Sequence, residues 1–409
     1  MEINKKVFNS ILPQIKAYKN VVVLKDSLED EHLEILYVPK MRDLTPGHII
    51  RMTVPLAEKQ NLFDETPVEK LGNPVFVYLP ILRDVSRIAK GDCVLKDGHL
   101  NGVSVQIDSE DFSGTSVANF IMSSFEASKK VWQSVQKKDL TTLALEKDDY
   151  TFIVSECGKF VNTDVSRYFM NGVCFDFPEV AGMLNIVATD GRRMCICALN
   201  EPHPGIPKSD RHERQFIVPL SALTLPSSEY SKVNIKFSSR YCQINISTED
   251  YNIESYGVLI DGQFPNWERV IPTDATQWIQ FCTNSLKPTV SSLKEYFAEG
   301  TMYIDASNPE DMYITDGKDI QAKVEGSVSC PMRLKMNWKY LFSCLLDEKP
   351  FTRFYLKSAR SSALMMQDSK PAKNVSLAVT KIFMPMMNDD CSGENYDTFG
   401  IPKITLEEA

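Results

Sequence analysis

Apolar residues occupy every second position in residues 233–237 and again in 242–246, on either side of Ser238-Ser239-Arg240. A period of two places successive side chains on opposite faces of an extended strand. The polar triplet lies where a turn would join two such strands. The pattern therefore predicts an antiparallel hairpin with one buried face.

A short motif near the start of the chain recurs near its end. The segment 8–15, FNSILPQI, is echoed by 283–290, TNSLKPTV. Half of the separation between them predicts a third copy near residue 146, where Asp148 and Asp149 begin another stretch of helical character. Three such segments predict three tandem units of similar size.

Each unit also offers a second short helix after an extended segment. These helices are predicted over residues 81–90, 220–225 and 338–346. An interior proline costs a helix about 3 kcal/mol, so the first helices of units one and three are expected to start at Pro13 and Pro288 or to kink there.

The predicted fold is α+β, with three tandem domains that each contain two helices and antiparallel sheets. Near the unit ends, Phe125 with Trp132 precedes a strand much as Phe264 with Trp267 does, which places boundaries near 139 and 273. The predicted domains are residues 1–139, 140–273 and 274–387, followed by a flexible acidic extension over 388–409.

Composition narrows the class of protein. Hydrophobic residues make up 43% and charged residues 24% of the chain, which is ordinary globular usage. The net charge of −9 argues against nucleic-acid binding by the whole surface but permits a local basic lining. No apolar run reaches the ~18 residues of a membrane span, and the first residues lack a secretory signal, so a cytoplasmic protein is expected.

The ten cysteines form no Cys-x-x-Cys pair, and the five histidines are scattered. Reduced core residues are the expectation, including Cys195 and Cys197, which a strand would place on one face. No nucleophile–base pair, paired-carboxylate motif or phosphate-cradling loop is recognisable. Neither a catalytic residue, a metal nor a cofactor is predicted.

Five blocks in the second and third units carry a resemblance to a known family. They are RYFMNGV (167–173), NIVATDGRRM (185–194), DGQFPNWERVIP (261–272), NWKYL (337–341) and IFMPM (382–386). Together they resemble the bacterial DNA sliding clamp, the beta subunit of DNA polymerase III, over residues 140–386. For the first unit the prediction rests on the repeat pattern.

The resemblance implies a ring, formed by a head-to-tail homodimer, that encircles duplex DNA without reading its sequence. It also implies a pocket for short peptides of the DNA polymerase and the clamp loader. The pocket residues that it implies are Met170, Thr189, Gly191, Arg192, Arg193, Met194, Pro265, Arg269, Val270, Tyr340, Ile382, Phe383, Met384, Pro385 and Met386. Arg193 and Arg269 are expected at its rim. Arg192 replaces the family's more common histidine, which affects the expected peptide preference.

A clamp that slides needs diffuse cations rather than base-reading side chains. The candidate DNA contacts are Lys5, Lys16, Arg83, Arg87, Lys159, Arg167, Tyr168, Phe169, Lys287, Lys294 and Lys339. Any single lysine among them is more typical of a solvated surface charge than of a DNA contact. Tyr168 and Phe169 are equally consistent with core aromatics of a strand.

Alternatives remain at this stage. By itself Asp190-Gly191 indicates only a hairpin turn. A clamp-fold scaffold or competitor of a mobile element, which binds partner peptides without encircling DNA, is the main rival function. An enzyme built around Asp190 is a weaker one, because no acidic cluster accompanies it. The acidic extension is either a simple appendage or a competitor for the peptide pocket.

Overall fold

The computed structural model describes residues 2–26, 32–39, 49–55, 74–89, 92–96, 99–100, 103–104, 112–134, 140–225, 230–248, 250–308, 310–357 and 363–386. The proposed acidic extension lies outside the described residues.

The described α-helices confirm both helix predictions for each unit and add one more. In chain order they are α1 (Lys5–Ile11), α2 (Leu79–Ile88), α3 (Phe112–Ser134), α4 (Lys147–Gly158), α5 (Leu220–Leu223), α6 (Thr283–Leu293) and α7 (Trp338–Cys344). The side chain of Asn4 caps α1, which gives way to a 3-10 turn containing Pro13. Helix α6 continues through Pro288. Neither helix starts at its proline.

The described strands are β1 (Glu2–Ile3), β2 (Val21–Asp26), β3 (His32–Tyr37), β4 (Ile49–Pro55), β5 (Val75–Tyr78), β6 (Cys93–Lys96), β7 (His99–Leu100), β8 (Val103–Ser104), β9 (Thr141–Glu146), β10 (Gly172–Asp176), β11 (Asn185–Thr189), β12 (Arg193–Leu199), β13 (Gln215–Pro219), β14 (Lys232–Phe237), β15 (Tyr241–Ser247), β16 (Asn252–Val258), β17 (Gln277–Cys282), β18 (Thr301–Asn308), β19 (Asp311–Thr315), β20 (Gln321–Val324), β21 (Gly326–Val328), β22 (Met332–Asn337), β23 (Phe351–Leu356), β24 (Leu364–Asp368) and β25 (Leu377–Phe383).

The chain folds into two compact units, and the first comprises Met1–Tyr150 and Phe216–Asp261. Its larger sheet is antiparallel, in the order β5-β2-β3-β4-β16-β15-β14-β9. The predicted hairpin is confirmed as β14 and β15, with Ile235 opposite Ile244. Strand β2 begins with four consecutive buried apolar residues, because both faces of this part of the sheet are covered.

Helix α3 covers one face of that sheet. Its presence shows that the predicted likeness between the Phe125–Trp132 and Phe264–Trp267 segments is wrong. Phe125 and Ile121 are fully buried against Val23 and Leu36. Phe125 and Trp132 thus belong to a helix of 23 residues, whereas Trp267 begins a short 3-10 helix. The two aromatic pairs looked alike because each precedes a strand, but only α3 has the apolar spacing that packs a helix on a sheet.

The second unit comprises Thr151–Gln215 and Gly262–Ala409. Its larger sheet contains the antiparallel order β10-β11-β12-β25-β24-β23-β17-β21, and its smaller sheet the order β20-β19-β18-β22. Helix α7 packs on β25 and β22, and α6 packs on β17 and β20. Strands of the predicted middle domain are divided between the large sheets of the two units, so the boundaries at 139 and 273 remain a prediction.

Candidate functional site

The turn between β11 and β12 is fixed by its own side chains. Thr189 Oγ1 donates to the carbonyl of Arg193 at 2.8 Å and accepts from the amide of Gly191 at 3.0 Å. Gly191 has a φ of +85°, and an added Cβ would lie 2.8 Å from Arg167 Nη1. The backbone angle requires glycine here, whereas the Arg167 guanidinium is the end of a flexible side chain that can move aside.

Asp190 is used by the same turn. One of its carboxylate oxygens accepts from the amides of Arg192 and Arg193, at 2.9 and 3.0 Å. The other accepts from Arg193 Nε at 2.8 Å. The carboxylate therefore acts as a turn cap, and the enzyme hypothesis built on Asp190 loses its basis.

Arg193 is held on two sides by aromatic rings. Its guanidinium lies 5.3 Å from the ring centroid of Phe160 and 5.2 Å from that of Tyr340, within the range of cation–π attraction. Arg193 also binds Asp190, so its side chain links the turn to Phe160 and Tyr340. The neighbouring Arg192 is exposed, and its Nη1 donates to the hydroxyl of Tyr340 at 3.2 Å.

Strand β25 brings the IFMPM block to this turn. Met194 is paired with Ile382, and the amide of Met384 donates to the carbonyl of Arg192 at 3.0 Å. Ile382 and Phe383 are buried, whereas Met384 is 45% exposed. Met386 is 37% exposed. The block thus contributes two core side chains, and then a methionine surface on either side of the half-buried Pro385.

The RYFMNGV block lies against the other side of the turn. Met170 is buried, with its methyl carbon 3.8 Å from where a Cβ on Gly191 would be. Tyr168 and Phe169 belong to the 3-10 helix Val165–Met170, so their interpretation as strand core is wrong. Tyr168 is 53% exposed and meets the ring of Phe169 edge-on at 5.8 Å.

The third block is anchored by residues that the sequence analysis missed. Trp267 Nε1 donates to Asp176 Oδ2 at 2.8 Å, and Arg211 binds the same carboxylate at 3.1 Å through Nε. Arg269 and Val270 are exposed beside Trp267. Among the described residues, no hydrogen bond, ion pair or ring contact joins Arg269 to the turn. An aspartate closing a strand, as Asp176 closes β10, was the available signal.

The first block nevertheless touches the third directly. Gly262 approaches Phe169 so closely that an added Cβ would lie 2.9 Å from the Cβ of that residue. The half-buried Pro265 follows on the same segment. All the predicted pocket residues belong to the second unit. Within it, Gly262 lies close to Phe169, and Gly191 lies close to Arg167 of the same 3-10 helix.

Two of the predicted DNA contacts are used inside the first unit. Lys5 Nζ donates to the carbonyl of Ala89. Arg83 donates from Nε to the carbonyl of Leu12 at 3.0 Å and from Nη2 to that of Ile15 at 2.5 Å. Both cations thereby tie helical segments together.

The other predicted DNA-contacting cations differ in whether a carboxylate pairs with them. Three are paired with carboxylates: Arg87 with Asp84, Lys159 with Glu156 and Lys287 with Asp347. Four are exposed cations: Lys16, Arg167, Lys294 and Lys339. The exposed group is the better source of diffuse positive charge.

A cavity of about 660 Å³ lies elsewhere, on the large sheet of the first unit. Its walls are mainly polar and include Glu34, Arg51, Asn234 and Asn245. The sequence blocks did not indicate this groove. It has none of the methionine surface that marks the turn region of the second unit.

The central part of the chain matches a protein-family model, and relatives match about half of the chain. Residues 145–266 match the DNA polymerase III beta subunit, central domain. The beta sliding clamp of Pseudomonas aeruginosa is 28% identical over 215 residues, which cover 49% of this chain and 54% of that protein. That of Vibrio cholerae is 26% identical over 254 residues, covering 57% and 62%. The aligned segment spans little more than half of the Pseudomonas protein.

Solved structures extend the likeness to nearly the whole chain. A sliding clamp from Bartonella birtlesii covers 94% of this chain and 99% of its own, with a TM-score of 0.68 at 15% identity. This chain has the sliding-clamp fold. The beta subunit from Streptococcus pyogenes agrees, covering 95% and 99% with a TM-score of 0.66 at 13% identity. The clamp resemblance drawn from the five blocks is thus confirmed, and the clamp fold includes the first unit.

Within the described ranges, no helix combines the length and the apolar character that crossing a bilayer requires.

Proposed function

We propose that this chain is a DNA sliding clamp: a non-catalytic ring, closed as a homodimer of three-domain protomers, that tethers a DNA polymerase to duplex DNA. One observation carries the proposal. The sequence blocks that resemble the clamp family meet around Gly191 within a chain that has the clamp fold over nearly its full length. A replication role would place the protein in the cytoplasm.

The surface around Gly191 is proposed to bind short peptides of the polymerase and the clamp loader. Met384 and Met386 offer flexible apolar side chains, which suit varied ligands. Arg192 stands exposed beside them and, with Arg269, supplies donors for peptide carbonyls or carboxylates. The proposed rim therefore consists of Arg192 and Arg269, since Arg193 is already bound internally.

Peptide binding is tested by fluorescence anisotropy with a labelled peptide from the tail of the host polymerase. Met384→Ala should weaken binding by about tenfold, the ~1–2 kcal/mol typical of an interface anchor. Met183→Ala is the matched control, since Met183 is 46% exposed in the same unit. Equal effects of the two substitutions would remove the pocket assignment.

DNA encirclement is tested on primed circular DNA with a clamp loader and polymerase. The chain should sediment as a dimer, remain on circular DNA, leave it after linearisation, and increase the length of synthesis. Replacing Lys16, Lys294 and Lys339 by alanine should shorten retention as salt rises, because fewer phosphates are neutralised. Monomers at micromolar concentration, with no retention and no stimulation, would contradict the proposal.

A clamp-fold scaffold that binds peptides without encircling DNA remains the second candidate. It is favoured by the internal use of Lys5 and Arg83, which reduces the charge available to DNA. The same two assays separate the candidates. Peptide binding without retention on circular DNA would favour the scaffold.

A further inference from the structure

Three cysteines meet in the core of the second unit. Cys157 lies in the last turn of α4, and Cys195 and Cys197 lie on one face of β12. Their sulfur atoms are all within 4.8 Å of one another, and those of Cys157 and Cys197 are 3.9 Å apart. All three side chains are fully buried. The sequence analysis foresaw the pair on β12 but not the third thiol, 38 residues earlier in the chain.

A buried ammonium lies beside this cluster. Lys381 is opposite Cys195 on the neighbouring strand, and its Nζ donates to Glu156 at 2.5 Å and to the carbonyl of Ser343 at 3.2 Å. Burial opposes ionisation of Cys195, but hydrogen bonds from Cys157 and Cys197, with the charge of Lys381, lower its pKa well below the usual value.

The pKa of Cys157 shifts in the opposite direction, above its usual value. The hydrogen bond to Cys195 is the largest of the effects that raise the pKa of Cys157. The cluster thus favours ionisation of Cys195 and opposes that of Cys157. Thiolates are the form in which cysteine binds metals. A metal ion would take the place of the thiol protons.

The spacing suits such an ion. Sulfur ligands about 2.3 Å from a metal lie roughly 3.8–4.0 Å from one another, depending on whether the ion is tetrahedral or trigonal. The 3.9 Å separation of Cys157 and Cys197 already falls in that range. Among the described residues, the ligand set contains only sulfur, which selects soft ions such as Cu⁺ or Cd²⁺ over Mg²⁺ or Ca²⁺.

We propose that Cys157, Cys195 and Cys197 form a three-sulfur site for one soft metal ion. Coordination forms three metal–sulfur bonds, and each ligand that is protonated beforehand loses its S–H proton to solvent, up to three protons per ion. No electron transfer is involved. The site is independent of peptide and DNA binding, and the proposal stands or falls separately from the clamp function.

The test uses the full chain with two cysteines replaced by serine, the half-buried Cys330 and Cys391, which lies outside the described residues, so that neither can bind metal. Cd²⁺ is titrated without oxygen and with a phosphine reductant, after long equilibration because the site is buried. We expect one ion per chain, a sulfur-to-cadmium charge-transfer band, release of thiol protons and a higher unfolding temperature.

Single substitutions locate the ligands. Cys157→Ala, Cys195→Ala and Cys197→Ala should each weaken binding by more than the ~100-fold that loss of an outer-shell contact costs. Cys174→Ala is the matched control, because Cys174 is fully buried in the same sheet, on β10. It should change affinity less than about twofold, as additivity over separate sites implies.

Competition between ions identifies the natural class. Cu⁺ or Cd²⁺ binding more tightly than Zn²⁺ supports a three-sulfur site. Tightest binding of Zn²⁺, which is almost always four-coordinate in structural sites, would overturn it. Absence of a charge-transfer band in the unsubstituted cluster, or equal loss of binding in Cys174→Ala, would also overturn it, whatever the stability of the single variants.

Discussion

Two arginines, one in each unit, are held by similar chemistry but lie in different surroundings. In the first unit the guanidinium of Arg51 lies 5.7 Å from the ring centroid of Phe125. It pairs with Glu34 at 3.0 Å and also with Glu254. Phe125 belongs to α3, so this network fastens a helix to the sheet beneath it.

In the second unit Arg193 has a carboxylate, Asp190, and two rings, Phe160 and Tyr340. Beside this turn, Met384 and Arg192 stay exposed. The same combination of guanidinium, carboxylate and aromatic ring therefore lies under a covering helix in the first unit and beside an exposed surface in the second. What decides the outcome is the neighbouring segment, not the arginine.

The largest effect is expected from replacing Lys381, the buried cation of the second unit. Lys381→Met removes the fully buried partner of Glu156 and leaves the ion pair with the exposed Lys159; breaking a buried pair costs up to about 3–5 kcal/mol. Urea unfolding measures the change. Lys208→Met removes an exposed partner of Glu213 in the same unit and should cost less than ~1 kcal/mol. Similar losses of unfolding free energy in both variants would show that the Lys381–Glu156 pair does not stabilise the second unit more than a surface pair does.

The next effect concerns the aromatic ring in the first unit. Phe125→Ala creates a cavity under α3 and should cost about 3–4 kcal/mol of unfolding free energy. Phe120 lies on the same helix but is 45% exposed, so Phe120→Ala should change stability by less than ~0.5 kcal/mol. If both changes proved equally mild, α3 would not be the cover that its packing indicates.

A smaller effect is expected at the open turn of the second unit. Gly191→Ala forces a side chain into a φ of +85° and against Arg167, at a cost of about 1–3 kcal/mol. Thermal unfolding and peptide anisotropy would both register it. Gly182→Ala, at a position without a positive φ, is the control. Unchanged peptide affinity in Gly191→Ala would separate the turn from the proposed pocket.

The smallest effect is expected from the acidic extension. A chain that ends at Met387 should bind peptide within about twofold of the full chain, because chain termini usually contribute little to a folded site. Anisotropy with the same labelled peptide decides this. A clear gain in affinity on truncation would instead make the extension a competitor for the methionine surface.

Local pattern was enough for the regular elements. The period of two predicted β14 and β15, and the repeated motif predicted α1, α4 and α6, because strand and helix periodicities are set by neighbouring residues. Helix α3 was missed because Phe125 and Trp132 were compared with an aromatic segment that has another backbone conformation. The family blocks supplied the turn at Gly191 and the strand that carries Met384.

Buried charges were beyond the reach of local pattern. Lys381 and Glu156 are 225 positions apart, and Asp176 and Trp267 are 91 apart, so nothing in the adjacent sequence indicates that they meet. The same holds for the rim. Arg193 and Arg192 are consecutive in the sequence, yet only Arg193 is held internally, by Asp190 and the rings of Phe160 and Tyr340.

The sequence by itself determined the periodic elements, the repeated order of helices and the clamp resemblance, since these depend on residues close together in the chain. Tertiary structure alone decided which cations are free, which aromatic residues are exposed and which thiols meet. Cys157 joins Cys195 and Cys197 only after α4 packs on the sheet. Long-range packing assigns each side chain its solvent exposure and its partners, and those two quantities control its charge state and its chemistry.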